Sequence, residues 1–203
     1  GGTVSNCVIT ANRGYAGSQS IVYNTAGLIT HCQIVENTCN VNGGGVYLLG
    51  GALRNCLVAR NVVTAGNGGG VSQSGGAIES CTIVANSSTA TGGGVYSTGG
   101  TVSNSIVYWN YVGATHSNLN TTAGLGYSCS INPGTTANGN ITGDPLFKDV
   151  TEGNYQLNTG SPCIDTGDDT PVTWGTDLAG NPRQQDIPGV GTASVDMGAY
   201  EYE

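Results

Sequence analysis

Carboxylates and bases are the raw material of hydrolytic or eliminative chemistry, and in the first 126 positions of this 203-residue chain they are few. Glu36 and Glu79 are the acids there, and Arg13, Arg54 and Arg60 the bases. A hydrolase needs clustered carboxylates as acid, base or nucleophile, and a lyase needs a base that abstracts a proton. Arg60 follows Glu36 by 24 residues and Glu79 follows Arg54 by 25. The surrounding sequence repeats at that same interval, so these residues are expected to stack as ion pairs on neighbouring layers, not to form a catalytic pair. His31 and His116 fall at different places in the repeat. No catalytic residue is assigned.

Other side chains suggest binding. Asp165, Asp168 and Asp169 are close enough to offer oxygens to Ca²⁺, which takes six to eight. They lack the EF-hand spacing, and Asp/Gly/Thr clusters more often make turns; no cofactor is expected, with Ca²⁺ the one weak candidate. Tyr23, Tyr47 and Tyr96 share a repeat position that Ser72 interrupts, and Tyr108, Trp109 and Tyr111 cluster later. Such aromatics could stack on sugar rings or on one another; Tyr23, Tyr47, Tyr96 and Trp109 are the glycan-binding candidates. Asn86, Asn120 and Asn140 head Asn-x-Ser/Thr sequons, with Asn120 and Asn140 the candidates for an attached glycan. A net charge of −8 argues against phosphate-backbone binding, and therefore against a nucleic-acid partner.

These residues hang on a repeat of 24 or 25 positions. Val4, Ile29, Leu53, Ile78 and Val102 form an aliphatic column. Cys7, Cys32, Cys56 and Cys81 form another, continued by Ser105. Ile9, Ile34, Val58, Ile83 and Val107 make a third, and Asn12, Asn37, Asn61, Asn86 and Asn110 a fourth. A fifth, Val22, Val46, Val71, Val95 and Leu119, holds in its middle copies the residue just after Gly43–Gly45, Gly68–Gly70 and Gly92–Gly94. Glycine makes up 35 of 203 residues, more than twice its usual ~7%. β-Branched columns broken by glycines favour short strands over helices. Cys7 and Ile9 share a strand face, whereas Val4 is out of phase with them, so the chain must bend between Val4 and Cys7. The pattern predicts an all-β fold: a parallel β-helix of about five coils over 1–126, three short strands per coil, right-handed by the usual crossover chirality. The Asn column reads as an amide ladder at a bend, with Asn also tolerating the left-handed region.

Past the coils the composition changes: 11 of the 13 acids lie beyond residue 143. Residues 127–203 read as an irregular closing module. It carries the blocks Gly139–Asp149, Tyr155-Gln-Leu, Gly160–Gly167, Gly180–Arg183 and Val195–Tyr202. With the Gly-Gly-Gly-Val-Tyr and Asn-Cys-x-Ile patterns of the coils, these blocks resemble the C-terminal part of bacterial right-handed β-helix repeat proteins of the choice-of-anchor type, related to the pectin-lyase-like superfold. The resemblance implies a secreted or cell-surface bacterial protein with no settled activity. It also makes a polysaccharide lyase or hydrolase the natural enzymatic alternative. Asp165 and Asp196 match acids in that family's blocks, where a structural hydrogen-bonding role is implied.

Seven cysteines cannot all pair. Stacked at one column the first four have parallel Cβ directions that suit a disulfide poorly, and they read as small buried hydrophobes. Cys129 and Cys163 lie in the irregular module, where a staple would help most, and a bridge between them is expected in an oxidising compartment. No apolar run is long enough for a membrane span. Gly1 enters directly in repeat register, so an open first coil is expected either to continue a longer β-helix or to dock on another copy; head-to-tail docking would give filaments. The reading is a secreted or surface structural protein, with a glycan-binding module as the alternative. Its partners are expected to be copies of itself or a longer parent chain, with glycans the further candidate.

Overall fold

A computed structural model of the chain describes residues 1–15, 20–121, 124–131, 136–170, 172–184 and 193–203. Among these there is no helix, and strands of two to four residues stack at the repeat interval. Sheet A stacks Thr3–Ser5, Leu28–Thr30, Ala52–Arg54, Ala77–Glu79, Thr101–Ser103 and Leu125–Gly126. Sheet B stacks Val8–Thr10, Gln33–Val35, Leu57–Ala59, Thr82–Val84 and Ile106–Tyr108. Sheet C holds Thr38–Cys39, Val62–Val63, Ser87–Ser88 and Tyr111–Val112, closed by the antiparallel strand Thr115–His116. Sheet D holds Val22–Asn24, Val46–Leu48, Val71–Gln73 and Val95–Ser97. All other pairings within these four sheets are parallel. The fold is a parallel β-solenoid of about five turns. Each complete coil carries four short strands where the sequence suggested three, because the Asn corner turns the chain once more before the glycine triplet.

Two rows of left-handed residues make the corners on either side of sheet B. Asn6, His31, Asn55, Ser80, Asn104 and Tyr127 form the row between sheets A and B, with φ from 46° to 54°. Ala11, Glu36, Arg60, Ala85 and Trp109 form the row between sheets B and C, with φ from 47° to 60°. The first row supplies the bend that the Val4–Cys7 phase requires. The second corrects the placement of the left-handed residue, which precedes each ladder Asn. The corner residue points out, and the Cys or Asn after it turns into the stack.

The interior is a column dominated by aliphatic side chains. Ile29, Leu53, Ile78, Val102 and Leu125 come from sheet A, Ile34, Val58, Ile83 and Val107 from sheet B, and Val46, Val71 and Val95 from sheet D. Full burial of each such side chain stabilises by roughly 1.5–3 kcal/mol. The glycine triplets make the corner before sheet D. Gly43, Gly68 and Gly92 take positive φ, while a Cβ on Gly44, Gly69 or Gly93 would collide with backbone of the next coil.

Two side-chain ladders run beside this core. The Oδ1 of Asn37, Asn61, Asn86 and Asn110 each accepts the backbone N–H and the Nδ2–H of the Asn one coil earlier, at 2.9–3.0 Å. Asn118 Oδ1 ends the series by accepting both donors of Asn110. In the cysteine column, the thiols of Cys7, Cys32, Cys56 and Cys81 donate to the carbonyl two residues earlier at 3.1–3.2 Å. The N–H of Cys32 reaches Cys56 Sγ, that of Cys81 reaches Ser105 Oγ, and that of Ser105 reaches Ser128 Oγ. Asn140 Oδ1 ends this column by accepting the Ser128 N–H at 3.1 Å. These cysteines are therefore hydrogen-bonding groups as well as small buried ones, and a hydroxyl takes the same part in later coils.

The chain after the coils covers two surfaces. Residues 136–143 lie on the far end, where Ser130 N–H donates to Ile141 O and Ile141 N–H to Ser128 O, both at 3.0 Å. The described residues beyond 143 double back along the outside of sheet B. There Leu57, Val84, Ile106 and Tyr108 pack against Phe147, Tyr155, Leu157 and Met197 in a second core. The first coil has no such cover among the described residues: Val4 is 44% and Val8 65% exposed.

Candidate functional site

The row between sheets A and B anchors the returning tail. Asn55 Nδ2 and the His31 ring both meet Thr176 O, at 2.9 and 3.2 Å. Asn104 exchanges hydrogen bonds with the backbone of Asp168, both at 2.8 Å, and its carbonyl accepts the Gly198 N–H. Arg183 enters between them, 2% exposed, and donates to Asn55 Oδ1, Ser80 O, Gly198 O and Glu201 Oε1. Around it Asp196 accepts the amides of Asp165 and Tyr202, and Asp177 accepts those of Asn181 and Glu201. Burial drives Glu201 up to about 8 and Asp196 up to about 6, with Arg183 opposing the shift in both. Three acids and one arginine, each at most 3% exposed, are here holding backbone amides and one another. This cluster fastens the tail.

The row between sheets B and C remains partly open. Trp109 and Arg60 stand two coils apart on it, roughly 10 Å between backbones, and Ala85 between them offers only a methyl group. The hairpin Phe147–Asp149 and Asn154–Leu157 closes one side. The result is a groove of about 300 Å³ lined by Arg60, Ala85, Trp109, Tyr111, Val150 and Tyr155. Its aromatic wall is braced: Trp109 meets Tyr108 and Phe147 edge-on, with centroids 5.4 and 5.8 Å apart, and Phe147 meets Tyr155 at 5.4 Å. Arg60 donates to Val150 O and Thr151 O at 2.9 and 3.1 Å, with Glu36 3.6 Å from its other terminal nitrogen. Chemically the groove pairs flat apolar faces with a polar rim whose positive charge is already balanced.

The residues singled out from the sequence are distributed as follows. Trp109 lines the groove, but Tyr23, Tyr47 and Tyr96 lie on sheet D, on another flank, and the four candidates form no single platform. Tyr23 and Tyr47 stack at 5.4 Å, whereas Ser72 separates Tyr47 from Tyr96. Tyr155, which completes the groove, comes from the tail and carries no repeat signal. Glu79 and Arg54 pair at 2.7 Å, with the Arg54 guanidinium 3.9 Å from the Trp174 ring centre. Asp165, Asp168 and Asp169 accept the amides of Ser194, Thr170 and Val195, respectively. Among the described residues no three His, Cys, Asp or Glu are placed to hold a metal.

Asn140 is 2% exposed with its amide in the cysteine-column ladder, so a glycan there would have to break the ladder. Asn120 is exposed, yet its amide pairs both ways with the Ser97 backbone. Cys129 and Cys163 are free thiols here, not a disulfide. Both are fully buried in the second core and interact directly, and this contact with burial raises the Cys163 thiol well above its usual range. Cys129 Sγ donates to Gly143 O at 3.2 Å. No helix among the described residues is long and apolar enough to cross a membrane. In comparisons with known proteins, no family, no curated protein and no solved structure matches this chain.

Proposed function

We propose that the protein is a structural β-solenoid of the bacterial surface or extracellular space, one that extends or associates through its first coil. The observation that supports this is the unlike character of the two ends. At the far end both ladders run into acceptors from the chain itself, Asn118 and Asn140. At the near end Asn12 presents an Oδ1 of the kind that accepts two donors in each of the next four coils, beside the exposed Val4 and Val8. An open strand edge beside apolar side chains recruits further strands. The coil carboxylates Glu36 and Glu79 each face an arginine, in keeping with a structural part for them too. Secretion rests on the resemblance of the tail blocks to choice-of-anchor proteins. Light scattering and electron microscopy of the 203-residue chain test the reading: concentration-dependent pairs or fibres support it, and a particle that stays monomeric at millimolar concentration with amide protection throughout the first coil refutes it.

A second reading, carbohydrate binding, is favoured by one separate observation. The groove at Trp109 sets an aromatic wall against a polar rim, the composition of a small-ligand site.

A further inference from the structure

We infer that the groove between Arg60 and Trp109 is a subsite for one neutral pyranose ring, bound with its apolar C–H face on the Trp109 indole. The inference rests on the carbohydrate reading and narrows it to a ligand class. Three features of the site select that class.

The first is size. Ala85 interrupts a corner row that carries long side chains in the coils on either side, and its methyl leaves a floor one layer deep. About 300 Å³ lies at the lower edge of small-ligand sites and suits a single ring. The second is shape. Trp109 is held edge-on by Tyr108 and Phe147, which leaves its position preset before any ligand arrives. The third is charge. A uronate would bring a second carboxylate towards Arg60, whose charge the Glu36 carboxylate 3.6 Å away already offsets and which spends one terminal nitrogen on Val150 O and Thr151 O. The remaining guanidinium N–H groups of Arg60 can still donate to hydroxyl groups. A ring with one apolar face, hydroxyls at its edge and no charge fits all three features.

Calorimetry and saturation-transfer NMR on the full chain provide the test, with tetrasaccharides of glucose, mannose and galactose and with tetragalacturonate as probes. The expected result is binding of at least one neutral tetrasaccharide in the millimolar to high micromolar range, weakened at least tenfold by Trp109→Ala and by Ala85→Gln. Glu36 and Arg60 carry long side chains in the same corner conformation, so Ala85→Gln is expected to fill the floor and keep the coil, with the thermal midpoint of the variant as the check. Tetragalacturonate binding more tightly than every neutral sugar, and blocked by Ala85→Gln, would overturn the neutral assignment and keep the carbohydrate reading. Sugar binding that Ala85→Gln does not change would overturn the subsite. No binding of any of the four probes would overturn both.

Discussion

Arg183 donates through Nε and a terminal nitrogen to the side-chain oxygen of Asn55, 128 residues earlier in the chain. One guanidinium thereby joins the third coil to the tail, and through Glu201 and Gly198 it joins the tail to itself. Replacing Arg183 with Met leaves Asn55 Oδ1, Gly198 O and the Glu201 carboxyl buried without their shared donor. Each buried group left unpaired costs roughly 1–3 kcal/mol. Arg183→Lys is expected to recover little, because a point charge cannot reach Asn55, Gly198 and Glu201 together. Urea denaturation gives the loss, and limited proteolysis should show the tail cut before the coils.

The same cluster sets a pH dependence. Glu201 rises from 4.5 to about 8 and Asp196 from 3.8 to about 6 on folding. The folded state therefore holds more protons than the unfolded chain across that window. Stability is fully present below about pH 4 and falls as pH rises towards 8, at up to about 1.4 kcal/mol per pH unit for each group. Thermal melts from pH 4 to 9 should show a declining midpoint, and Glu201→Gln should flatten most of the decline. A midpoint that rises over this range would contradict the assignment.

In the Asn ladder, position along the stack should decide the cost of a substitution. Asn61→Ala removes the acceptor for two donors of Asn37 and the Nδ2 donor to Ile34 O and Asn86 Oδ1, the latter keeping only the backbone N–H of residue 61. At roughly 1–3 kcal/mol for each buried group left unpaired, the loss is large. Asn12→Ala, at the uncovered end, removes donors only and should cost about 1 kcal/mol or less. Chemical denaturation of the two variants side by side checks the order.

The cysteine column makes the opposite forecast. Ser105 and Ser128 already occupy it with the same i−2 carbonyl acceptance as the thiols. Cys81→Ser is expected to stay within about 1 kcal/mol of the parent, whereas Cys81→Ala, which removes the donor to Leu53 O and Glu79 O, should lose roughly 1–3 kcal/mol. Equal losses for the two would show that the thiol acts by volume alone.

Cys129 and Cys163 are expected to bridge when the chain is folded under an oxidising glutathione couple. Closing a loop of 34 residues between them would stabilise by about 3–4 kcal/mol in the chain-entropy account. Peptide mapping without reductant identifies the bridge, and finding both as free thiols after oxidative refolding would refute it.

The periodic part of the fold was legible because each coil repeats the physical problem of the last. Val4, Cys7, Ile9 and Asn12 meet their equivalents every 24 or 25 residues, so burial and ladder bonding write themselves into columns. The count of strands was less legible, since the sheet C strands are two residues long and carry no alternation to read. The course of the tail was not legible at all. Its contacts with His31, Asn55 and Asn104 run through backbone carbonyls and amides, which leave no trace in side-chain pattern. Trp109 could be found in the aromatic cluster with Tyr108 and Tyr111, but Tyr155 and the methyl floor at Ala85 become parts of a groove only once the tail is in place.

The corner rows also bear on how such a chain can change over time. Ala11, Glu36, Arg60, Ala85 and Trp109 differ in size, charge and polarity, yet their backbones share one conformation within 13° of φ. Whatever stands there faces outward, while the Asn behind it keeps the stack in register. New surface chemistry can thus be written one letter per layer, at a pitch of about 4.8 Å, without rewriting the interior. A mutational library confined to Glu36, Arg60 and Ala85 would be a ruler with exchangeable marks: its spacing is set by the backbone, and its meaning by whichever side chains are placed along it.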